Sequence, residues 1–375
     1  MSGIYLHIPF CKQACHYCNF HFSTSMRHKE DLLKAMHLEI EKRSQYLNDT
    51  LLQSIYFGGG TPSLLDVEEL NDFFEHIQRF FQIAPDAEIT LEANPDDLTA
   101  EKIKMLRKSP INRLSIGIQS FSEEDLQFMN RAHSAEEAYD CILMARAAGF
   151  NDLSIDLIYG SPSTSDAQWK ENLDKIFALN IPHISCYCLT VEPGTALDHF
   201  VKMKKATPVD EEQAARQFEY LLQRMLEAGY IHYEISNFAL PNCFARHNSN
   251  YWLGQHYLGI GPSAHSFNGQ SRQWNIAHNA QYIKKIKADL PFFEKEQLSP
   301  AQQYNEYIMT ALRTVWGCEE EKLKHWGDHF YQYFTKKVQS FLHNETIKNI
   351  EGTYTLSTRG KLLADNIAME LFYEE

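Results

Sequence analysis

Two rhythms of apolar and polar positions alternate along the chain. Short apolar or alternating runs recur at 3–8 (GIYLHI), 54–58 (SIYFG), 88–92 (EITLE), 114–118 (LSIGI), 153–158 (DLSIDL) and 183–188 (HISCYC). Runs of this length predict strands. Between them the spacing turns helical, at about 28–47, 66–82, 99–107, 135–148 and 166–179, and again at about 209–228. Six strand–helix units joined by right-handed crossovers predict an α/β architecture, an incomplete (β/α)6 barrel over residues 1–290. The rhythm breaks near 288–300 (ADLPFFEKEQLSP). Residues 291–375 are expected to form a small, mostly helical C-terminal domain. Its predicted helices lie at about 300–315, 319–326 and 328–342, with a hairpin-like stretch at 345–357 and a last helix at 358–372. Ser357 or Thr358 would cap that helix.

Unusual residues collect at one end of the predicted strands. Cys11, Cys15 and Cys18 follow the first strand, and Gly58-Gly59-Gly60-Thr61-Pro62 follows the second. Glu92 and Asn94 end the third, Gln119 the fourth, and Asp156 lies near the end of the fifth. Tyr187 and Thr190 close the sixth. A β/α barrel carries its site at the C-terminal ends of its strands, so the site is expected there. Glycine permits positive φ and close backbone approach, so the glycine run reads either as a tight turn or as a ligand cradle. Glu92 and Asp156 read either as strand-end ion pairs or as acceptors for ribose hydroxyls or an amino group.

The segment HIPFCKQACHYCNF spaces its thiols as Cys-x3-Cys-x2-Cys. Structural iron–sulfur clusters take four thiolates. Three thiolates leave one iron of a cubane open to a small chelating molecule. A tetrahedral zinc site with His7, His16 or His21 as fourth ligand is the alternative. A disulfide would need oxidising surroundings, and the first residues, MSGIYLHIPF, lack a basic secretory n-region.

Composition narrows the classes. Hydrophobic residues make up 44% of 375, enough for a large core. No run approaches the roughly 18 apolar residues of a membrane span, so a cytoplasmic protein that is not integral to a membrane is expected. Lys and Arg number 35 against 49 Asp and Glu, a formal charge of −14. Such a surface repels phosphate backbones, so no nucleic-acid partner is expected.

With these motifs the chain resembles the radical S-adenosylmethionine (SAM) superfamily, and within it the oxygen-independent coproporphyrinogen dehydrogenase family. The stretches that carry the resemblance are YLHIPFCKQACHYCNF, YFGGGTPSLL, LEANPDDL, RLSIGIQSF, NRAHS, DLIYGSP, YEISNFA, HNSNYWLG and GIGPSAHSF. The resemblance implies a [4Fe–4S] cluster on Cys11, Cys15 and Cys18, with SAM on the open iron. It implies SAM contacts from Tyr5, Gly60, Thr61, Glu92, Gln119, Arg131 and Asp156, and more loosely from Thr190 and His265. It also implies a winged-helix-like C-terminal domain for TYTLSTRGKLLADNIAMELF.

Two departures choose the branch. The enzymes of this family carry a further cysteine just after the triad, where this chain has Phe20, and a long N-terminal extension, where four residues precede Tyr5. Both departures, with the HNSNYW segment, resemble the family's haem chaperone branch. That resemblance implies a protein that binds haem and passes it to apo-haemoproteins, soluble or membrane-bound. It names no catalytic residue. The alternative is a radical SAM enzyme that oxidatively decarboxylates coproporphyrinogen III. His247, on a segment expected to be mobile, is the candidate haem ligand, with Cys243 as an alternative. Cys186 and Cys188 point to one side of the sixth strand and are expected to fill the barrel, a second metal site being the alternative. Cys141 and Cys318 fall in helical patterns and are expected to be structural.

Overall fold

All six expected strands form, and they are parallel. They are β1 (Ser2–Ile8), β2 (Leu51–Gly59), β3 (Gln82–Ala93), β4 (Arg113–Gln119), β5 (Asp152–Tyr159) and β6 (His183–Cys188), side by side in chain order. The computed structural model describes residues 2–374. Helices Lys29–Arg43, Val67–Ile77, Ala100–Leu106, Ala135–Ala147, Asp166–Ala178 and Glu211–Glu227 follow the strands. Several start on a capping box, with Asp66/Glu69, Ser134/Glu137 and Ser165/Gln168 each pairing a side chain with the other residue's backbone N–H. Helix Val67–Ile77 buries Val67, Leu70, Phe73, Phe74 and Ile77, one stripe at helical spacing. Each such side chain contributes about 1.5–3 kcal/mol of apolar burial. Strands covered by helices on one face and by the barrel interior on the other are buried almost throughout, as in β1.

The barrel is open. Six further strands extend the sheet: β7 (Ile231–Glu234), β8 (Asn237–Ala239), β9 (His256–Ile260), β10 (His265–Phe267), β11 (Ser271–Asn275) and β12 (Phe293–Gln297). β9 joins β1 in parallel, while β8 joins β6 antiparallel. The twelve strands run β12-β11-β10-β9-β1-β2-β3-β4-β5-β6-β8-β7. β12 pairs with β11, so the main sheet runs past the break expected at residue 290. The helical domain begins after it, where Ser299 caps helix Pro300–Ala311.

That domain has its own core, including Tyr304, Ile308, Cys318, Phe330, Phe334, Ile347 and Leu371. It carries a three-stranded antiparallel sheet of β13 (Cys318–Glu319), β14 (Ile347–Ile350) and β15 (Thr353–Leu356). Ser357, not Thr358, accepts the capping bond, from the Gly360 N–H. The expected last helix is two, Thr358–Lys361 and Ala364–Leu371. Among the described residues no helix is long and apolar enough to cross a membrane.

Candidate functional site

Residues 9–23 form a closed loop beyond β1. The Ser23 N–H donates to the Pro9 carbonyl at 2.8 Å, and the Cys11 N–H donates to the Ser23 carbonyl at 3.1 Å. Cys11, Cys15 and Cys18 are free thiols of intermediate burial, and all three line one cavity of about 470 Å³. The loop is anchored across the barrel mouth: the His16 N–H donates to the Met129 carbonyl and the Thr61 N–H to the Phe10 carbonyl. Two side chains reach the sulfurs. Thr61 Oγ1 donates to Cys11 Sγ at 3.5 Å, and Arg131 Nη1 to Cys15 Sγ at 3.3 Å. Arg131 Nη2 is held by Asn94 Oδ1 and the Gly117 carbonyl, both at 2.7 Å, while its buried Nε has no partner in the protein.

The same cavity is lined by Thr61, Glu92, Asn94, Gln119, Arg131, Asp156, Tyr187 and Thr190. The strand-end pattern thus brings together the residues it singled out. Glu92 accepts from the Tyr56 hydroxyl at 2.7 Å and from the Gly59 N–H at 3.2 Å. Burial pushes its carboxyl up to about 7, against those hydrogen bonds and with help from the Asp156 charge. Burial likewise pushes Asp156 up to about 6, opposed by the Ser185 hydroxyl and by Arg113 and Arg131. Gln119 ends β4 at φ 67, a left-handed conformation uncommon outside glycine.

This donor set fits a cluster with an exchangeable ligand. The histidines that a zinc site would recruit are engaged elsewhere. His7 Nε2 meets the His21 carbonyl at 2.9 Å, His16 Nδ1 the Phe128 carbonyl at 2.9 Å, and His21 Nε2 the Asn279 Oδ1 at 2.7 Å. Among the described residues no three His, Cys, Asp or Glu side chains close on a common point. A cubane does not require it, because each thiolate takes its own iron. Burial pushes the Cys11 thiol up to about 11, so metal binding there releases a proton.

Comparison with known proteins agrees with this geometry. The sequence profile of the Radical SAM superfamily matches residues 5–176. The Bacillus subtilis heme chaperone HemW is 30% identical over 371 residues, 98% of each chain. The Mycobacterium tuberculosis heme chaperone HemW is 32% identical over 374 residues, 98% of this chain and 94% of that one.

The chain belongs to the HemW family of radical SAM proteins.

Escherichia coli coproporphyrinogen III oxidase HemN, described as a radical SAM enzyme, shares the fold with a TM-score of 0.85 at 23% identity. The likeness covers 99% of this chain and 90% of HemN.

Within this HemW-family fold two expectations need correction, those for His247 and His265. His247 is not a free ligand on a mobile segment. HNSNYW forms helix Arg246–Trp252, packed against β2 at the barrel base. His247 is buried, with Nδ1 2.8 Å from Ser54 Oγ and Nε2 2.8 Å from the Tyr251 hydroxyl, so both ring nitrogens are used. Burial lowers its pKa to about 3. Glu88 holds the helix start, accepting from the His247 N–H at 2.9 Å and the Arg246 N–H at 2.6 Å.

His265 is exposed on β10 and lines neither barrel cavity. Gly60 lines the upper cavity as expected, and the protein's own packing also requires its small size. A Cβ there would meet the Phe10 carbonyl at 2.7 Å and the Ile8 carbonyl at 2.9 Å, both backbone.

Tyr5 lies one layer deeper than the thiols, stacked with Tyr56 at 6.0 Å between ring centres, and lines a second cavity of about 400 Å³. Cys243 is partly exposed beyond β8. Cys141 is buried in helix Ala135–Ala147, whereas Cys318 is buried on β13 and not in a helix. Cys186 is buried, but Cys188 is exposed and lines the upper cavity, so the pair does not fill the barrel together. Sequence reasoning missed Tyr56, Arg113 and Ser115 as cavity residues. Their signal was strand alternation: Arg113, Ser115 and Gly117 share one face of β4.

Proposed function

We propose that this protein binds haem and passes it to apo-haemoproteins, with a [4Fe–4S] cluster on Cys11, Cys15 and Cys18 and exchangeable SAM in the upper cavity. The observation that carries this reading is the cavity mouth. Phe20, at the place where the related enzymes have their further cysteine, is 68% exposed, and Tyr187 is 45% exposed. Both line both cavities. Large aromatic side chains held in water beside a cavity mark a docking surface, and flat rings offer a porphyrin face a stacking partner. Cys188, next to Tyr187 and exposed, is the soft donor available there.

When bound, the cluster and SAM supply one-electron chemistry. The chain's own residues do the holding. Glu92 and Asp156 accept from the polar groups of SAM, Arg131 steadies the cysteine loop, and Thr61 donates to Cys11. Tyr5 and Tyr56 line the second cavity below. The full-length likeness to the two HemW chaperones supports transfer over turnover. The test is anaerobic reconstitution, haem loading and mixing with an apo-haemoprotein, with coproporphyrinogen III supplied in a parallel assay. Haem should move to the acceptor, and coproporphyrinogen should persist with SAM and reductant present. Turnover of coproporphyrinogen would replace this reading with the enzyme.

A further inference from the structure

The second cavity lies deeper in the barrel, below the thiols, and is closed underneath by helix Arg246–Trp252. It shares Glu92 and Asp156 with the upper cavity at its rim. Arg113, from the first residue of β4, lines its wall and is 2% exposed. Its Nε donates to Asp152 Oδ1 at 3.1 Å, but its buried Nη2 has no hydrogen-bond partner in the protein. Glu88 is near enough to favour the guanidinium charge, yet its oxygens accept from the Arg246 and His247 N–H groups. A buried guanidinium edge without an acceptor is costly, and such groups are normally satisfied.

We propose that this lower chamber binds the carboxylate of an organic acid, read by the free edge of Arg113. A guanidinium presents parallel N–H donors that match the two oxygens of a carboxylate. The walls add the neutral polar groups of Ser115, Ser185, Asn237 and Asn248, and the two carboxyls at the rim, Glu92 and Asp156, are pushed by burial toward their neutral form. Asn248 sits on the closing helix and faces the same space. The site is distinct from the thiols and needs no haem. The carboxylate belongs either to a free acid of amino-acid size or to a side arm of a larger molecule seated at the mouth.

The experiment is isothermal titration of the cluster-reconstituted protein with sodium propanoate, then with haem and with haem dimethyl ester. Arg113→Gln removes the reader but also the Asp152 ion pair. Asn248→Asp is the second variant, because it keeps the shape and sets a negative charge against an incoming anion. Saturable propanoate binding, weakened about tenfold or more in Asn248→Asp with SAM affinity retained, supports the site and a free acid. Without propanoate binding, a preference for haem over its dimethyl ester that vanishes in Asn248→Asp supports the site and a side arm. Absence of both effects overturns the proposal. The propanoate arm contains no haem, so failure of haem binding leaves that arm to decide.

Discussion

Arg131 Nη1 lies 3.3 Å from the sulfur of Cys15, although the two residues are 116 positions apart. Its other nitrogen is fixed by Asn94 Oδ1 and the Gly117 carbonyl, so the guanidinium holds one orientation against the thiol. The pinned guanidinium thereby fixes the place of the Cys15 sulfur at the cavity. Arg131→Ala should therefore lose cluster faster than wild type under air or chelator, while Cys→Ala at position 11, 15 or 18 should prevent a stable cluster. Anaerobic iron and sulfide counts check both. Wild-type counts in all three cysteine variants would sink the cluster assignment.

Gly60 and Gly117 separate packing from ligand contact. A methyl at Gly60 meets backbone carbonyls that lead into the cysteine loop, and these cannot step aside. Gly60→Ala should cost about 1–3 kcal/mol and lower cluster content and SAM affinity together. At Gly117 the methyl meets the ends of Gln119, Arg131 and Asn94 side chains at 3.0, 3.3 and 3.5 Å. Gly117→Ala should keep the melting temperature and reduce SAM affinity. Thermal melts alongside SAM titration read the contrast.

Much of this site was legible because it is built from strand ends. β6 has the expected bounds, and the cysteine loop, Thr61, Glu92, Gln119 and Asp156 meet at one mouth as the rhythm predicts. What stayed hidden depends on distant partners. β9 is a five-residue strand whose place beside β1 is set by a pairing some 250 residues away, so it has no local signal. HNSNYW reads as a polar, aromatic loop until Glu88, Ser54 and Tyr251 satisfy its helix start and its histidine. Phe20 stands between Tyr17 and Phe22 in the sequence, and only the fold shows it exposed at the mouth.

His247 acts as a strut. Removing it strands Ser54 and the Tyr251 hydroxyl and opens a hole at the barrel base. His247→Ala should destabilise the protein by about 2–4 kcal/mol. It should leave the Soret band of the haem complex unchanged. Cys188→Ser should move that band with little change in stability. Denaturant melts and absorption spectra of the two variants test this pairing of effects. A Soret shift in His247→Ala alone would return the ligand to the barrel base.

Glu92 gives a pH signature. Its folded carboxyl is raised to about 7 from an ordinary value of 4.5, mainly by burial. The folded state therefore holds the proton more tightly than the unfolded state, and the group's contribution to stability falls as pH rises through that window. Glu92→Gln cannot ionise. Without added SAM, its stability relative to wild type should rise by about 2 kcal/mol between pH 4.5 and pH 7 and level off above. Urea melts at stepped pH measure the difference. A flat difference across the window would contradict the buried-carboxylate description.

Haem titration of the anaerobically reconstituted protein, followed at the Soret band, tests the central claim most directly. Wild type should saturate near about one equivalent of haem. Phe20→Ala and Tyr187→Ala should each weaken binding about tenfold, the equivalent of ~1.4 kcal/mol, without loss of cluster. Failure of the cluster-bearing wild type to take up haem would contradict it.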